Sequence, residues 1–172
     1  MELLDVYDDN GHVTGKVVKR GSPDSAFESG EHIAVAIIFI ENSKGEFLIQ
    51  KTSEEKGGLF SSTGGHVDHN EKPDTSIIRE VKEEIGIDIS HDNVISLGYR
   101  LVDFPVRFLY YLKKDIEINE IKIQKTEVEF VKYMTPSYIE HIIEKGLMNK
   151  GHALMYFEIK KYLGGKNGEE EK

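Results

Sequence analysis

The chain contains no cysteine, and this absence removes several kinds of chemistry at once. Without a thiol there is no disulfide, no zinc–thiolate site and no cysteine nucleophile. The N-terminus, MELLDVYDDNG, also lacks the basic stretch followed by an apolar one that a signal peptide requires. Because both absences fit a reducing compartment, we expect a cytoplasmic protein.

The chain also lacks a long apolar run and an excess of positive charge. Its longest apolar run, IAVAIIFI at residues 33–40, has 8 residues, whereas a membrane-spanning helix needs about 20. The formal net charge is -9. Because nucleic acids and anionic membranes attract proteins rich in Lys and Arg, we expect neither as a partner. A phosphorylated small molecule stays open, since a bound divalent cation can reverse the local field.

With 172 residues and no internal repeat or linker, the chain has the size of one domain. We expect this domain to span residues 1–163, with an N-terminal hairpin and loop in residues 1–30. The glycine-rich, charged segment GGKNGEEEK at residues 164–172 is expected to be a disordered tail.

Hydrophobic patterning predicts strands, then a helix, then more strands and two further helices. Alternating or continuously apolar stretches predict strands at residues 3–7, 12–18, 33–40, 46–51, 59–63, 94–104, 106–114 and 127–134. Apolar residues at helical spacing, with Pro or Gly at the ends, predict helices at residues 74–85, 136–146 and 151–163. This order lacks regular βαβ alternation, so we expect an α/β (α+β) fold with a mixed sheet between helices.

The helix at residues 74–85 presents two different faces. One is an apolar stripe that includes Ile77, Val81 and Ile85; Asp74 is its expected N-cap and Gly86 its expected stop. The other carries Glu80, Glu83 and Glu84, whose spacing of three and four residues places their side chains together.

These three glutamates allow two interpretations. Taken alone, the segment REVKEE is typical of a solvated helix surface on which Arg79 and Lys82 offset the acidic charge. Alternatively, three neighbouring carboxylates form a site for Mg²⁺ or Mn²⁺, because hard cations prefer oxygen ligands.

The flanking residues favour the metal site. Residues 65–87 read GHVDHNEKPDTSIIREVKEEIGI, which resembles the Nudix box, GX5EX7REUXEEXGU with U aliphatic. All nine specified positions agree, at residues 65, 71, 79, 80, 81, 83, 84, 86 and 87. A chance match at one starting position has a probability on the order of 10⁻⁹ at ordinary residue frequencies. The chain is therefore identified as a member of the MutT-like Nudix hydrolases, with a mixed sheet between helices as the expected fold.

The resemblance implies a hydrolase that cleaves a diphosphate linkage in a nucleoside diphosphate joined to another group, or in a related organic diphosphate. It implies that Glu80, Glu83 and Glu84, together with the carbonyl of Gly64, bind Mg²⁺ or Mn²⁺. It further implies that Glu71 and Arg79 brace the loop against the helix. Gly65 and Gly86 belong to the same framework.

The resemblance leaves the general base open, because family members take it from the box or from a distant loop. Glu83 and Glu127 are the two candidates, with Glu129 behind Glu127. Lys51, Lys56 and His66 are candidate substrate-binding residues, although each is also an ordinary residue for its position. The aromatic residues Tyr99, Phe104, Tyr110 and Tyr111 are candidates for stacking on a base, or for the core.

The N-terminal hairpin, His32 and His66 are similar to features of isopentenyl diphosphate isomerases, a Nudix-fold branch. That branch uses a cysteine where this chain has Gly64, and glutamates where it reads FPVRFLYY. Isomerase chemistry is thus disfavoured, and structural roles are favoured for both histidines. A non-catalytic nucleotide-binding module is the other alternative. The hairpin also offers an edge for a homodimer.

Overall fold

The computed structural model describes residues 2–170, and its side chains to residue 165. Nine strands are described: β1 (Leu3–Tyr7), β2 (Val13–Lys19), β3 (Ala34–Glu41), β4 (Phe47–Thr52), β5 (Phe60–Ser61), β6 (Thr63–His66), β7 (Ile95–Leu101), β8 (Val106–Lys113) and β9 (Val128–Met134). The described helices are α1 (Pro73–Ile85), α2 (Pro136–Glu144) and α3 (Lys150–Glu170).

Strand β3 is the centre of a seven-stranded mixed sheet. It pairs in parallel with β8 on one side and antiparallel with β6 on the other, and it meets β4 at the Glu41–Phe47 pair. Strand β4 continues the sheet by pairing with β5 and β9, whereas β7 forms the opposite edge next to β8. The continuous apolar run of β3 is explained by this position, because both of its faces are covered.

The helices cover opposite faces of this sheet. On one face, Ala36 and Ile38 pack with Ile77 and Val81 of α1. On the other, Phe39 packs in the cluster that contains residues of α2 and α3. The predicted α+β architecture, a mixed sheet between helices, is confirmed.

Strands β1 and β2 form the predicted N-terminal hairpin, which is a separate two-stranded sheet. Isolated bridges join Leu4 to Asp68 and Tyr7 to His32, so the hairpin is tied to the segment after β6 and to the start of β3. These ties bring the end of β2 close to the residues that precede α1.

Two local predictions require correction. The strand predicted at residues 59–63 is two strands, and the second continues through Gly64 and Gly65 to His66 because β6 pairs with β3. Asp74 is not the N-cap of α1, which is Lys72; the carboxylate of Asp74 instead accepts a hydrogen bond from the hydroxyl of Tyr110.

Helix α3 is described as far as Glu170. The disordered tail expected at residues 164–172 stays a prediction. The last two residues of that predicted tail lie outside the described part of the chain. Within residues 2–170, no helix is long and apolar enough to cross a bilayer.

Candidate active site

An acidic cleft of about 520 Å³ lies where β6, α1, the end of β2 and the segment before β9 meet. We call it the catalytic cleft; its lining includes Arg20, Lys56, Gly64, Gly65, His66, Arg79, Glu80, Glu83, Glu84 and Glu127. The fold therefore joins most of the residues that the sequence singles out, from four separate segments of the chain.

Gly64 and Gly65 lie on the floor of the catalytic cleft in extended β-strand backbone, and neither has a positive φ. A Cβ at Gly64 would lie 2.3 Å from the carbonyl oxygen of Ala36 on β3, and one at Gly65 would lie 2.4 Å from Oε1 of Glu80. These glycines are therefore required by the close approach of neighbouring atoms. Gly86 differs, because it ends α1 in the left-handed conformation, as predicted (φ 72°).

Glu80 and Glu84 lie one turn apart on α1, on the side that faces β6. Burial, assisted by the nearby charge of Glu83, raises the pKa of Glu80 against the opposing effect of Arg79. Burial likewise raises the pKa of Glu84 to about 8, even though Gln50 donates a hydrogen bond of 2.7 Å to its carboxylate. Both shifts arise because two partly desolvated carboxylates share a site that has too little positive charge.

Arg79 is the main positive group on this face. Its Nε and Nη2 donate to the two oxygens of Glu71 at 2.7 and 2.9 Å, and its Nη1 donates to Glu83 at 3.0 Å and to Glu80 at 3.1 Å. Nη2 also lies 3.2 Å from the carbonyl oxygen of His66. Arg79 therefore links the loop after β6 to the helix, and this is the bracing that the resemblance implied for Glu71 and Arg79.

These contacts also hold the pKa values of the bracing pair away from their usual range. Burial favours the neutral acid at Glu71, but hydrogen bonds from Arg79 keep the pKa of its carboxyl below normal. The hydrogen bonds to Glu71 in turn raise the pKa of Arg79. Both groups are therefore charged throughout the physiological pH range, and the ion pair between them does not depend on pH within it.

The donor set around Glu80 and Glu84 fits a divalent cation. Their oxygens are hard ligands, and the raised pKa of Glu84 marks a site where added positive charge would be favourable. Among the side chains described, to residue 165, no three from His, Asp or Glu already converge as ligands, and Glu83 is turned towards Arg79. A cation held by all three glutamates therefore requires Glu83 to leave Arg79.

Of the candidate base and lysine residues, some line the catalytic cleft and others lie outside it. Glu127 lines the catalytic cleft and lies 3.5 Å from the ammonium of Lys56, which lines it too. Lys51 and Glu129 pair with each other at 3.2 Å and are not among the lining residues. The fold thus brings Lys56 and Glu127 into the lining of the cleft and leaves Lys51 outside it.

Sequence reasoning missed Arg20 and Gln50. Arg20 lies at the end of the hairpin, where it pairs with Glu2 at 2.6 Å and lines the catalytic cleft. Nothing near Arg20 in the sequence signals this, because the hairpin precedes the box by more than forty residues. Gln50 was signalled, since a polar residue ends the apolar stretch FLI of β4.

Most of the candidate histidine and aromatic residues contribute to the structure rather than to the cleft. His32 lies 2.8 Å from the carbonyl oxygen of Phe104 and 2.6 Å from the carboxylate of Asp9, so both ring nitrogens are occupied. Burial, followed by the charge of Arg20, lowers the pKa of His66 at the cleft wall. Tyr110 and Tyr111 belong to the core rather than to a stacking surface.

A sequence profile of the NUDIX domain matches residues 30–157, well over half of the chain. The chain belongs to the Nudix family. It is a Nudix hydrolase, of the class that cleaves diphosphate linkages in derivatives of nucleoside diphosphates. The matched region contains the box, whereas the N-terminal hairpin precedes it.

Known relatives resemble this Nudix hydrolase over different shares of its length. It is 28% identical over 177 aligned positions to an uncharacterized Nudix hydrolase of Listeria monocytogenes, which covers 97% of this chain and 96% of that protein. It is 32% identical over 79 residues to an 8-oxo-dGTP diphosphatase of Proteus vulgaris, across 45% of this chain and 68% of that one.

A crystal structure from Deinococcus radiodurans superposes on the Nudix hydrolase with a TM-score of 0.75 and 21% identity, over 90% of this chain and 98% of that chain. At this identity the likeness establishes a shared fold. Because it extends over nearly the whole chain, it includes segments outside the region that the NUDIX profile matches.

Proposed function

We propose that the catalytic cleft hydrolyses the diphosphate linkage of a nucleoside diphosphate derivative with the help of Mg²⁺ or Mn²⁺ bound by Glu80, Glu83, Glu84 and the carbonyl of Gly64. The observation that carries this proposal is the buried pair Glu80 and Glu84, whose pKa values are raised by desolvation and by the charge of a neighbouring glutamate, Glu83 beside Glu80 and Glu80 beside Glu84. A natural protein retains such a pair at a functional site that supplies a compensating charge.

The surrounding residues each have a defined task in this proposal. Gln50 orients the carboxylate of Glu84 by its hydrogen bond, and Thr63 in turn orients Gln50 by donating to its side-chain oxygen at 2.9 Å. Arg79 holds Glu71 and the loop after β6 against the helix, whereas pairing with β3 keeps Gly64 opposite the glutamates. These contacts fix Glu84 and the loop before the substrate arrives, so Glu83 is the proposed ligand that has to change partner when a cation binds.

Cleavage requires a water molecule in line with the phosphorus and a group to take its proton. When bound, the divalent cation neutralises charge on the phosphoryl oxygens and lowers the pKa of coordinated water. Glu127 and Glu83 are the candidates to accept the proton, and both line the cleft. Lys56, beside Glu127, is placed to attract the phosphate that departs.

The decisive experiment is a panel of nucleoside diphosphate derivatives, assayed with and without Mg²⁺ or Mn²⁺ and analysed by product mass. The expected result is cation-dependent cleavage at the diphosphate. Glu83→Gln should lower kcat by about 10²-fold or more, since loss of a ligand or base is worth several kcal/mol.

Glu144→Gln is the matched control, because Glu144 is an exposed glutamate of α2 that does not line the cleft. A Glu83→Gln enzyme that works at nearly the wild-type rate, or cleavage that persists in a chelator, would contradict the proposal. Isopentenyl diphosphate is added to the panel to test the isomerase alternative, which predicts its rearrangement; Gly64 in place of the required cysteine argues against it.

The expected partners are a small diphosphate substrate and a second copy of the chain, without nucleic acid or membrane, in the cytoplasm. A homodimer is supported by the hairpin, where Val13 and Val17 on β2 are exposed. Light scattering across a range of concentrations tests it. A wild-type protein that stays monomeric at high concentration, or a Val13→Asp, Val17→Asp variant that pairs normally, would contradict a dimer through this face.

A further inference from the structure

A second cleft, of about 340 Å³, adjoins the catalytic cleft, and both are lined by Arg20 and His66. We call it the hairpin cleft; its lining includes Arg20, Asp24, Phe27, Ile33, His66 and Phe104. Its volume is within the range of about 300–1,000 Å³ that ligand sites occupy. Much of its wall comes from residues before position 30, outside the region matched by the family profile.

The inner wall of the hairpin cleft is apolar and firmly supported. The rings of Phe27 and Phe104 pack edge to face with centroids 4.7 Å apart. Ile33 and Phe27 pack against the small core beneath the hairpin. His32 also holds the backbone of Phe104, at 2.8 Å from its carbonyl oxygen. The wall is thus formed before any ligand arrives, which lowers the entropic cost of binding.

Arg20 lies at the junction of the two clefts, and exchanging its partner Glu2 for a phosphate would cost little free energy. Its ion pair with Glu2 is solvent-exposed, with the two side chains 50% and 60% accessible. Such exposed pairs contribute little stability. A phosphate offers a guanidinium two parallel hydrogen bonds. Arg79, by contrast, is already committed to Glu71, and it braces the loop.

We propose that the hairpin cleft binds the nucleoside of the substrate, with Arg20 bound to the phosphate that joins the nucleoside to the reacting linkage. This assignment rests on the proposed function, since it places the diphosphate beside Glu80 and Glu84. A flat base packs favourably against aromatic rings. The exposed carboxylate of Asp24 and the hydroxyl of Ser22 match the hydroxyl and N–H groups of a nucleoside, which an aliphatic chain lacks.

Binding of nucleoside monophosphates tests this site without any hydrolysis. AMP, GMP, CMP and UMP are titrated into the full-length protein without added metal, by calorimetry and by amide chemical shifts in NMR spectra. At least one should bind, with shifts at Ile33, Phe104 and the end of β2. Phe27→Leu, which keeps an apolar side chain but removes the ring, and Arg20→Gln should each raise its Kd about tenfold.

Two controls accompany these variants. Phe157→Leu removes an exposed ring of α3 that lines neither cleft, and it should leave Kd unchanged. Isopentenyl monophosphate tests the aliphatic alternative and should bind at least tenfold more weakly than the preferred nucleotide. Thermal melts show whether Phe27→Leu is folded; Arg20→Gln changes only an exposed side chain and keeps the test decisive if it is not.

The inference is overturned if no monophosphate binds, if the shifts are confined to α1 and Glu127, if neither variant changes Kd, or if isopentenyl monophosphate binds as tightly. Its failure differs from failure of the proposed function. A protein that cleaves nucleoside diphosphates but binds monophosphates independently of Phe27 and Arg20 contradicts only the site proposed here. A protein that binds them as expected but cleaves no diphosphate contradicts only the proposed hydrolysis.

Discussion

Gly65 of β6 lies directly beneath the carboxylate of Glu80, so a Cβ at position 65 would come within 2.4 to 2.8 Å of its three terminal atoms. The strand and the helix can approach this closely only because residue 65 has no side chain. The glycine thereby determines where a buried acid is held, and its place in the box follows from this contact.

Replacing Gly65 by Ala should displace the carboxylate of Glu80 while leaving the fold intact, because the clashing atoms are the end of a side chain. We expect kcat/KM to fall at least tenfold, since misplaced ligands weaken transition-state binding, with little change in Tm. Steady-state kinetics and thermal melts measure both. Unchanged kcat/KM would show that the position of Glu80 does not matter for the reaction.

Gly64→Ala, in contrast, should destabilise the folded protein. Its Cβ would lie 2.3 Å from the backbone carbonyl oxygen of Ala36, which cannot move without disturbing β3. We expect a loss of about 1–3 kcal/mol of stability, the usual cost of overpacking, visible in urea unfolding. Gly164→Ala in α3 is the control, because it meets no neighbour within 4 Å and should stabilise slightly.

Manganese should raise the Tm of the protein, because a ligand bound only by the folded state stabilises it by about 2.7 kcal/mol at a hundred times its Kd. Glu80→Gln and Glu84→Gln should abolish this shift. Glu84→Gln should not lower the Tm of the metal-free protein, since its pKa of about 8 shows that the charged form is disfavoured there. A full manganese shift in both variants would contradict the ligand assignment.

Arg79→Lys should lower kcat and stability together, although the charge is kept. A lysine cannot reproduce the paired hydrogen bonds to Glu71 or reach Glu83 at the same time. We expect at least a tenfold fall in kcat, because the loop after β6 and the carboxylate of Glu83 lose the contacts that position them. Arg100→Lys is the matched control: Arg100 bonds Glu158 at 2.7 Å, away from the cleft, and its replacement should leave kcat unchanged.

His152 should make the protein sensitive to acid. Burial, and then the charge of Arg107, lowers the pKa of its ring to about 4 from a usual 6.5, and it lies 2.9 Å from the hydroxyl of Ser62. The folded state thus favours the neutral ring. The stability that the neutral ring of His152 contributes is complete above pH 6.5 and is lost as the pH falls towards 4.

The full shift corresponds to about 3 kcal/mol, and we expect less, because the ring keeps some contact with solvent. Urea unfolding between pH 7 and pH 4 measures the loss. His152→Gln should flatten the curve over this interval, whereas His141→Gln, at an exposed position of α2, should not. Parallel curves for wild type and His152→Gln would rule out the histidine as the cause.

Elements whose signals are local were predicted well. The continuous apolar run at residues 33–40 predicted strand β3 and suits its central place in the sheet. The spacing of Ile77, Val81 and Ile85 predicted the buried face of α1. Gly86 ended that helix as predicted. Such features depend on residues within one or two turns of each other, so the periodicity of the chain is enough to predict them.

Errors arose where a distant partner decided the outcome. Asp74 suits an N-cap, but the hydroxyl of Tyr110, thirty-six residues away, engages it. The strand predicted at residues 59–63 stops before Gly64 and Gly65, yet pairing with β3 keeps both glycines extended. In each case tertiary contacts overrode the local preference.

The sequence by itself determined the acidic face of α1, because helical geometry alone brings residues 80, 83 and 84 together. Only the tertiary structure decided that Arg20, Lys56 and Glu127 would surround that face. The physical reason is the range of the contacts involved. Neighbours on a helix are set by the covalent chain, whereas residues from separate loops meet only when the packing of the whole sheet outweighs the entropy of closing those loops.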